Sequence, residues 1–134
     1  MAKNKALSPA DSFFLLIESD NTPSQIGVLA RMKLPEGADK SFIREMVDNF
    51  RKYQPTEAPF NLKLAERSVT NPMYAWETVE NIDIDYHLRH SALPQPGGER
   101  ELARLISRLH SIPLDHRRPM WEFHVIEGLE NNCF

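Results

Sequence analysis

The sequence predicts a mixed α/β fold built in layers, and three observations carry that reading. Segments 39–53 and 99–111 repeat apolar residues at helical spacing, whereas 25–34 and 120–126 alternate on a period near two. The helical and strand-like segments succeed one another along the chain instead of grouping by type, the order of α/β or α+β layers. Ten prolines stand against five glycines, and they fall between these segments, where a fixed φ ends helices and strands.

Each element has its own local reason. Ser8-Pro9-Ala10-Asp11 offers a capping hydroxyl, a proline at the first helical position and an acid three residues after the cap, which predicts a short helix to about Ile17. From Gln25 to Leu34 the residues Ile26, Val28, Ala30, Met32 and Leu34 share one face, predicting a strand that Pro35 and Gly37 end. Phe42, Ile43, Met46, Val47, Phe50 and Tyr53 form a broad apolar stripe on a helix over 39–53.

The middle of the chain reads as irregular β structure. Leu62 and Leu64, extended as far as 66–69, make one candidate strand, and 74–79 makes another. Residues 82–88 are expected to be a third extended piece before the Pro94-to-Gly98 break. Leu102, Leu105, Ile106 and Leu109 then mark a helix over 99–111, and Met120 to Ile126 is the last full strand. Trp121, Phe123 and Val125 are expected together on its inner, buried face. Glu127 to Asn132 is a turn rich in Gly and Asn, and Cys133-Phe134 opens a further strand. A strand that stops at its start leaves backbone groups unpaired. The expectation is one domain over 1–134, the N-terminal lobe of a larger protein cut before its catalytic motif.

Composition narrows the function classes. At 134 residues, 41% apolar and 26% charged, the chain is large enough for one core. A net charge of −3 argues against a nucleic-acid binder driven by phosphate neutralisation. A single cysteine excludes an internal disulfide framework and fits a reducing cytoplasm. The run Phe13 to Ile17, closed by Glu18, is too short for a secretion signal or a membrane span. A cytoplasmic protein is expected, with peripheral membrane contact open.

Two constellations could carry chemistry. Asp83, Asp85 and His87 share one face if the segment is extended, and His90 follows; this is either a set of metal ligands or a solvated strand face, and no metal is assigned. His110, Asp115 and His116 could form an oriented base, or a polar loop with local ion pairs at a helix end. Cys133 reads as an inert thiol. The chain has no glycine-rich phosphate loop, no Cys-x-x-Cys pair and no nucleophile elbow.

The run from Pro113 through Asp115-His-Arg-Arg-Pro-Met-Trp-Glu-Phe-His to Gly128 is specific. Together with Asp83-Ile-Asp-Tyr-His-Leu-Arg-His and the opening Leu7 to Glu18, it resembles the N-terminal part of bacterial wax ester synthase/diacylglycerol acyltransferases. The resemblance covers Leu7 to Phe134. It implies a lobe like that of chloramphenicol acetyltransferase and the peptide-synthetase condensation domains. It also implies an acyl-CoA-dependent O-acyltransferase that makes wax esters or triacylglycerols from a long-chain alcohol or diacylglycerol. Acyl-CoA is then a substrate, and no cofactor is expected.

The family motif His-His-x-x-x-Asp-Gly is absent here, since no histidine is followed by another and none has Asp-Gly four residues on. The resemblance therefore places no catalytic residue in this chain and expects the motif beyond residue 134. Pro119, Met120 and Trp121 stand where relatives have Pro-Leu-Trp, and are expected to be substrate-proximal or structural. Expected partners are the two substrates, a C-terminal portion that could be a second chain, and a membrane or lipid-droplet surface. Two alternatives remain: a non-catalytic domain that binds an acyl chain or a protein, and a condensation domain acting on carrier-bound amines.

Overall fold

The computed structural model of the chain describes residues 5–39, 41–67, 69 and 72–134. They fall into two compact units, one of 5–25, Gln54–Ile82 and Ile112–Trp121, the other of Ile26–Tyr53, Asp83–Ser111 and Glu122–Phe134.

The first unit holds strand β1 (Lys5–Ala6), helix α1 (Pro9–Ile17), β2 (Leu62–Leu64) and β3 (Ala75–Thr78). The α1 start is the expected capping box. The Ser8 hydroxyl accepts the Asp11 N–H at 3.1 Å, and the Asp11 carboxylate accepts the Ser8 N–H at 3.2 Å. The three strands form an antiparallel sheet in the order β1-β3-β2, with Leu64 opposite Trp76 and Ala6 opposite Ala75. Leu64 and Ala75 of the sheet and Ile82 beyond it are buried apolar residues of this unit. The strand expected to reach 66–69 stops at Leu64, and Arg67 stacks over the Tyr74 ring at 4.5 Å; Ser68 lies outside the described residues.

The second unit contains α2 (Phe42–Arg51), the short helix α3 (Ile84–His87), β4 (Leu88–Ala92), α4 (Glu99–His110) and β5 (Phe123–Glu127). Strands β4 and β5 pair in parallel from Leu88↔Phe123 to Ala92↔Glu127, and a parallel pair needs a crossover connection such as one containing α4. The core is Ile43 and Val47 of α2 against Leu88 and Val125, ringed by Leu34, Phe42, Met46, Ile84 and Phe134. The stripe read on 39–53 thus forms, but its end leaves the core: Phe50 and Tyr53 are exposed.

Three sequence expectations are corrected. Residues 25–34 do not form a strand. Only Met32 and Leu34 make ladder bonds, to Phe134 and Asn132, around the Lys33–Cys133 bridge. Ile26, Val28 and Leu29 are exposed, because alternation makes a strand only where a neighbouring backbone offers partners. Residues 82–88 are not extended, since the Asp83 carboxylate accepts the Tyr86 N–H at 3.3 Å and caps a helical turn. The last strand begins at Phe123, so Trp121 lies outside it; Val125 is buried, whereas Phe123 is half exposed against the Phe50 ring. The turn after β5 has the expected positive φ at Gly128, Asn131 and Asn132, but Cys133 and Phe134 pair with Lys33 and Met32 instead of forming a hairpin with β5.

Candidate functional site

Pro119, Met120 and Trp121 form a tight turn in which the Trp121 N–H donates to the Pro119 carbonyl at 2.9 Å. Pro119 is buried and the other two are half-buried. The indole Nε1–H donates to the Phe60 carbonyl at 2.7 Å, and the two rings meet edge to face at 5.8 Å and 87°. Trp121 therefore clasps the 57–61 turn instead of anchoring a strand face. Within that turn Asn61, itself buried, donates its side-chain N–H to the Thr56 carbonyl at 2.6 Å and accepts the Val79 N–H on its backbone oxygen at 2.8 Å.

The histidine and aspartate of the same loop separate. Asp115 is held by Arg117 through Nε and Nη2, each at 2.9 Å, and through the Arg117 backbone N–H at 3.0 Å. The guanidinium bonds and that backbone bond lower its carboxyl to about 2. His116 instead meets Glu18, Nε2 to Oε1 at 2.5 Å, and the other Glu18 oxygen accepts the Ser24 N–H at 3.4 Å. The oriented base read from Asp115 and a histidine is thus not assembled, while a histidine–carboxylate pair that local spacing did not show is.

The proposed metal set also disperses. Asp83 caps α3, Asp85 pairs with Arg51 at 3.1 Å, His87 is buried beside the Tyr86 ring, and His90 lies 3.4 Å from Glu127. Among the described residues no group of three His, Cys, Asp or Glu could hold a metal ion. Cys133 is half-buried with Sγ 3.4 Å from the Asn131 carbonyl.

A depression of about 550 Å³ lies in the second unit, lined by Asp39, Ser41, Arg44, His90 and Glu127. Glu127 is the last residue of β5, and His90 is the middle residue of β4, opposite Val125. The His90 Nε2 is buried and, at its 3.4 Å ion-pair separation from Glu127, makes no hydrogen bond. Asp39 accepts the Ser41 hydroxyl and N–H, both at 2.7 Å, and these bonds hold its carboxyl below the usual range. Sequence spacing could not reveal this grouping, because it depends on which strands pair.

The catalytic-domain model of the wax ester synthase/diacylglycerol acyltransferases matches residues 7–134. A Mycobacterium tuberculosis protein, provisionally named a diacylglycerol O-acyltransferase, is 44% identical over 131 residues, covering 97% of this chain and 26% of that protein. A second protein of the same species, also provisionally so named, is 41% identical over 128 residues, covering 96% and 28%. The solved wax ester synthase/diacylglycerol acyltransferase from Marinobacter aquaeolei VT8 superposes with a TM-score of 0.84 at 36% identity, over 97% of this chain and 31% of that one. It shares the expected mixed α/β fold class. The chain thus spans between a quarter and a third of the length of these relatives. With a match from Leu7 to its last residue, the chain belongs to the wax ester synthase/diacylglycerol acyltransferase family.

Proposed function

We propose that the whole protein is an acyl-CoA-dependent O-acyltransferase that esterifies a long-chain alcohol or diacylglycerol, giving wax ester or triacylglycerol. The observation that carries the reading is the unbroken family match over residues 7–134. In the reaction the alcohol oxygen attacks the thioester carbonyl, its proton passes to a neutral imidazole, and coenzyme A leaves as a thiolate that takes up that proton. The imidazole belongs to the paired-histidine motif that this sequence does not contain.

Residues 1–134 then supply architecture, not the proton acceptor. Trp121, Pro119 and Met120 serve as positioning residues, a role supported by the grip of the indole on Phe60. The chemistry needs no cofactor, since acyl-CoA is itself the donor. Among the described residues no helix is long and apolar enough to cross a membrane. The substrates are lipids, so the protein works by peripheral contact at a lipid–water boundary, with its C-terminal portion in the same or a second chain.

The test is to incubate the native protein with radiolabelled long-chain acyl-CoA and either hexadecanol or diacylglycerol, and to separate the neutral lipids. Labelled ester from either acceptor is expected, while residues 1–134 alone give none. Ester formed by the 134-residue chain and lost on changing a histidine within it would move the catalytic base into this segment. No ester from the native protein with either acceptor would overturn the acyltransferase reading.

A further inference from the structure

Helix α4 has two opposite faces. Leu102 is buried and Leu105, Ile106 and Leu109 are half-buried, whereas Arg100, Ala103, Arg104, Ser107 and Arg108 are all exposed. At four-residue spacing Arg100, Arg104 and Arg108 stand one above the next along the helix. Among the described residues none of the three guanidinium groups has an ion-pair or hydrogen-bond partner.

Only Arg108, in the last turn, suits the helix dipole. Like charges at i and i+4 repel and weaken a helix, here twice over. The arginine stripe also stands out in a protein whose net charge is −3. Ala103 and Ser107 beside the arginines are small, so a flat partner can approach all three charges at once. The exposed side of a helix is convex and encloses no small ligand, which favours an extended anionic surface. No aromatic residue interrupts the stripe to stack a base, as single-stranded nucleic acid would require.

We propose that the Arg100–Arg104–Arg108 face of α4 docks the protein on an anionic phospholipid surface. The inference rests on the acyltransferase reading, which requires substrates that dissolve in lipid rather than water. Guanidinium groups donate paired N–H bonds to phosphate oxygens and remain charged at every physiological pH. The apolar residues of α4 lie on the side away from the arginines, so the contact is electrostatic and weakens with salt. Each arginine near such a surface strengthens binding about fivefold, and the three together about a hundredfold.

The experiment is co-sedimentation of the native protein with vesicles of phosphatidylcholine alone, or with about a third phosphatidylglycerol in place of the zwitterionic lipid. The variant Arg100→Gln/Arg104→Gln/Arg108→Gln keeps good helix formers at all three positions. A second variant, Lys5→Gln/Lys33→Gln/Lys52→Gln, removes the same charge elsewhere. Binding is expected only to the anionic vesicles, and the arginine variant should lose it about a hundredfold while the lysine variant keeps it. Equal losses in both variants, equal binding to both vesicle types, or loss of RNA binding in place of vesicle binding would each overturn the proposal. Acyl transfer assayed with a short, water-soluble alcohol separates this proposal from the activity reading. There the arginine variant should match the wild type, whereas failure of the acyltransferase assignment would show as no ester from the wild type with hexadecanol or diacylglycerol.

Discussion

Gly97 and Gly128 meet backbone to backbone: a Cβ built on Gly97 would lie 1.9 Å from the Gly128 carbonyl oxygen. Both residues have positive φ, at 74° and 82°, and the Gly97 carbonyl accepts the Glu130 N–H at 3.0 Å. The contact ties the turn before α4 to the turn after β5. The substitution Gly97→Ala should therefore cost about 1–2 kcal/mol for its left-handed backbone and about 1–3 kcal/mol more for the overlap. Gly37→Ala has a similar φ but nothing within 4 Å, so it should cost only the first amount. Urea unfolding of the two variants compares them directly, and equal losses would contradict the packing argument.

Trp121 should behave as a structural clasp. Trp121→Phe removes the bond to the Phe60 carbonyl and should lower stability by about 1 kcal/mol. Trp121→Ala also removes the ring contact and, for a half-buried side chain, should cost about 2 kcal/mol, below the value for a buried one. The KM for acyl-CoA should stay at the wild-type value in both. A variant of normal stability with a raised KM would make Trp121 a substrate contact.

The Asp115–Arg117 pair predicts a specific acid sensitivity. The folded carboxyl titrates at about 2, below its ordinary 3.8, so its contribution to stability is complete above the ordinary value. It is lost as the pH falls from about 4 to 2. Arg117→Ala should return the Asp115 titration toward 3.8 in a carboxyl-resolved NMR titration. An unchanged titration would mean that Arg117 is not the cause.

His116 and Glu18 should be energetically coupled, because the carboxylate that meets the imidazole is only 10% exposed. A double-mutant cycle of His116→Ala and Glu18→Gln should give a coupling of about 1 kcal/mol at neutral pH. Additive losses would show the contact to be passive.

Elements whose hydrogen bonds are local can be read from the residues alone. Ser8 and Asp11 close the capping box of α1 within four residues, and Leu102 to Leu109 set the inner face of α4 by their spacing. The turn through Gly128, Asn131 and Asn132 was legible because few other residues accept a positive φ. The family was legible through runs of identity, not through any single catalytic group. Tertiary structure decided whatever needs a distant partner. Residues 26–31 alternate like a strand but have no ladder, and His90 reaches Glu127 only because β4 and β5 pair in parallel register. Trp121 turned toward Phe60 and His116 toward Glu18 for the same reason. A backbone period states which face a residue occupies, but the identity of the surface opposite it is fixed only when the chain has folded.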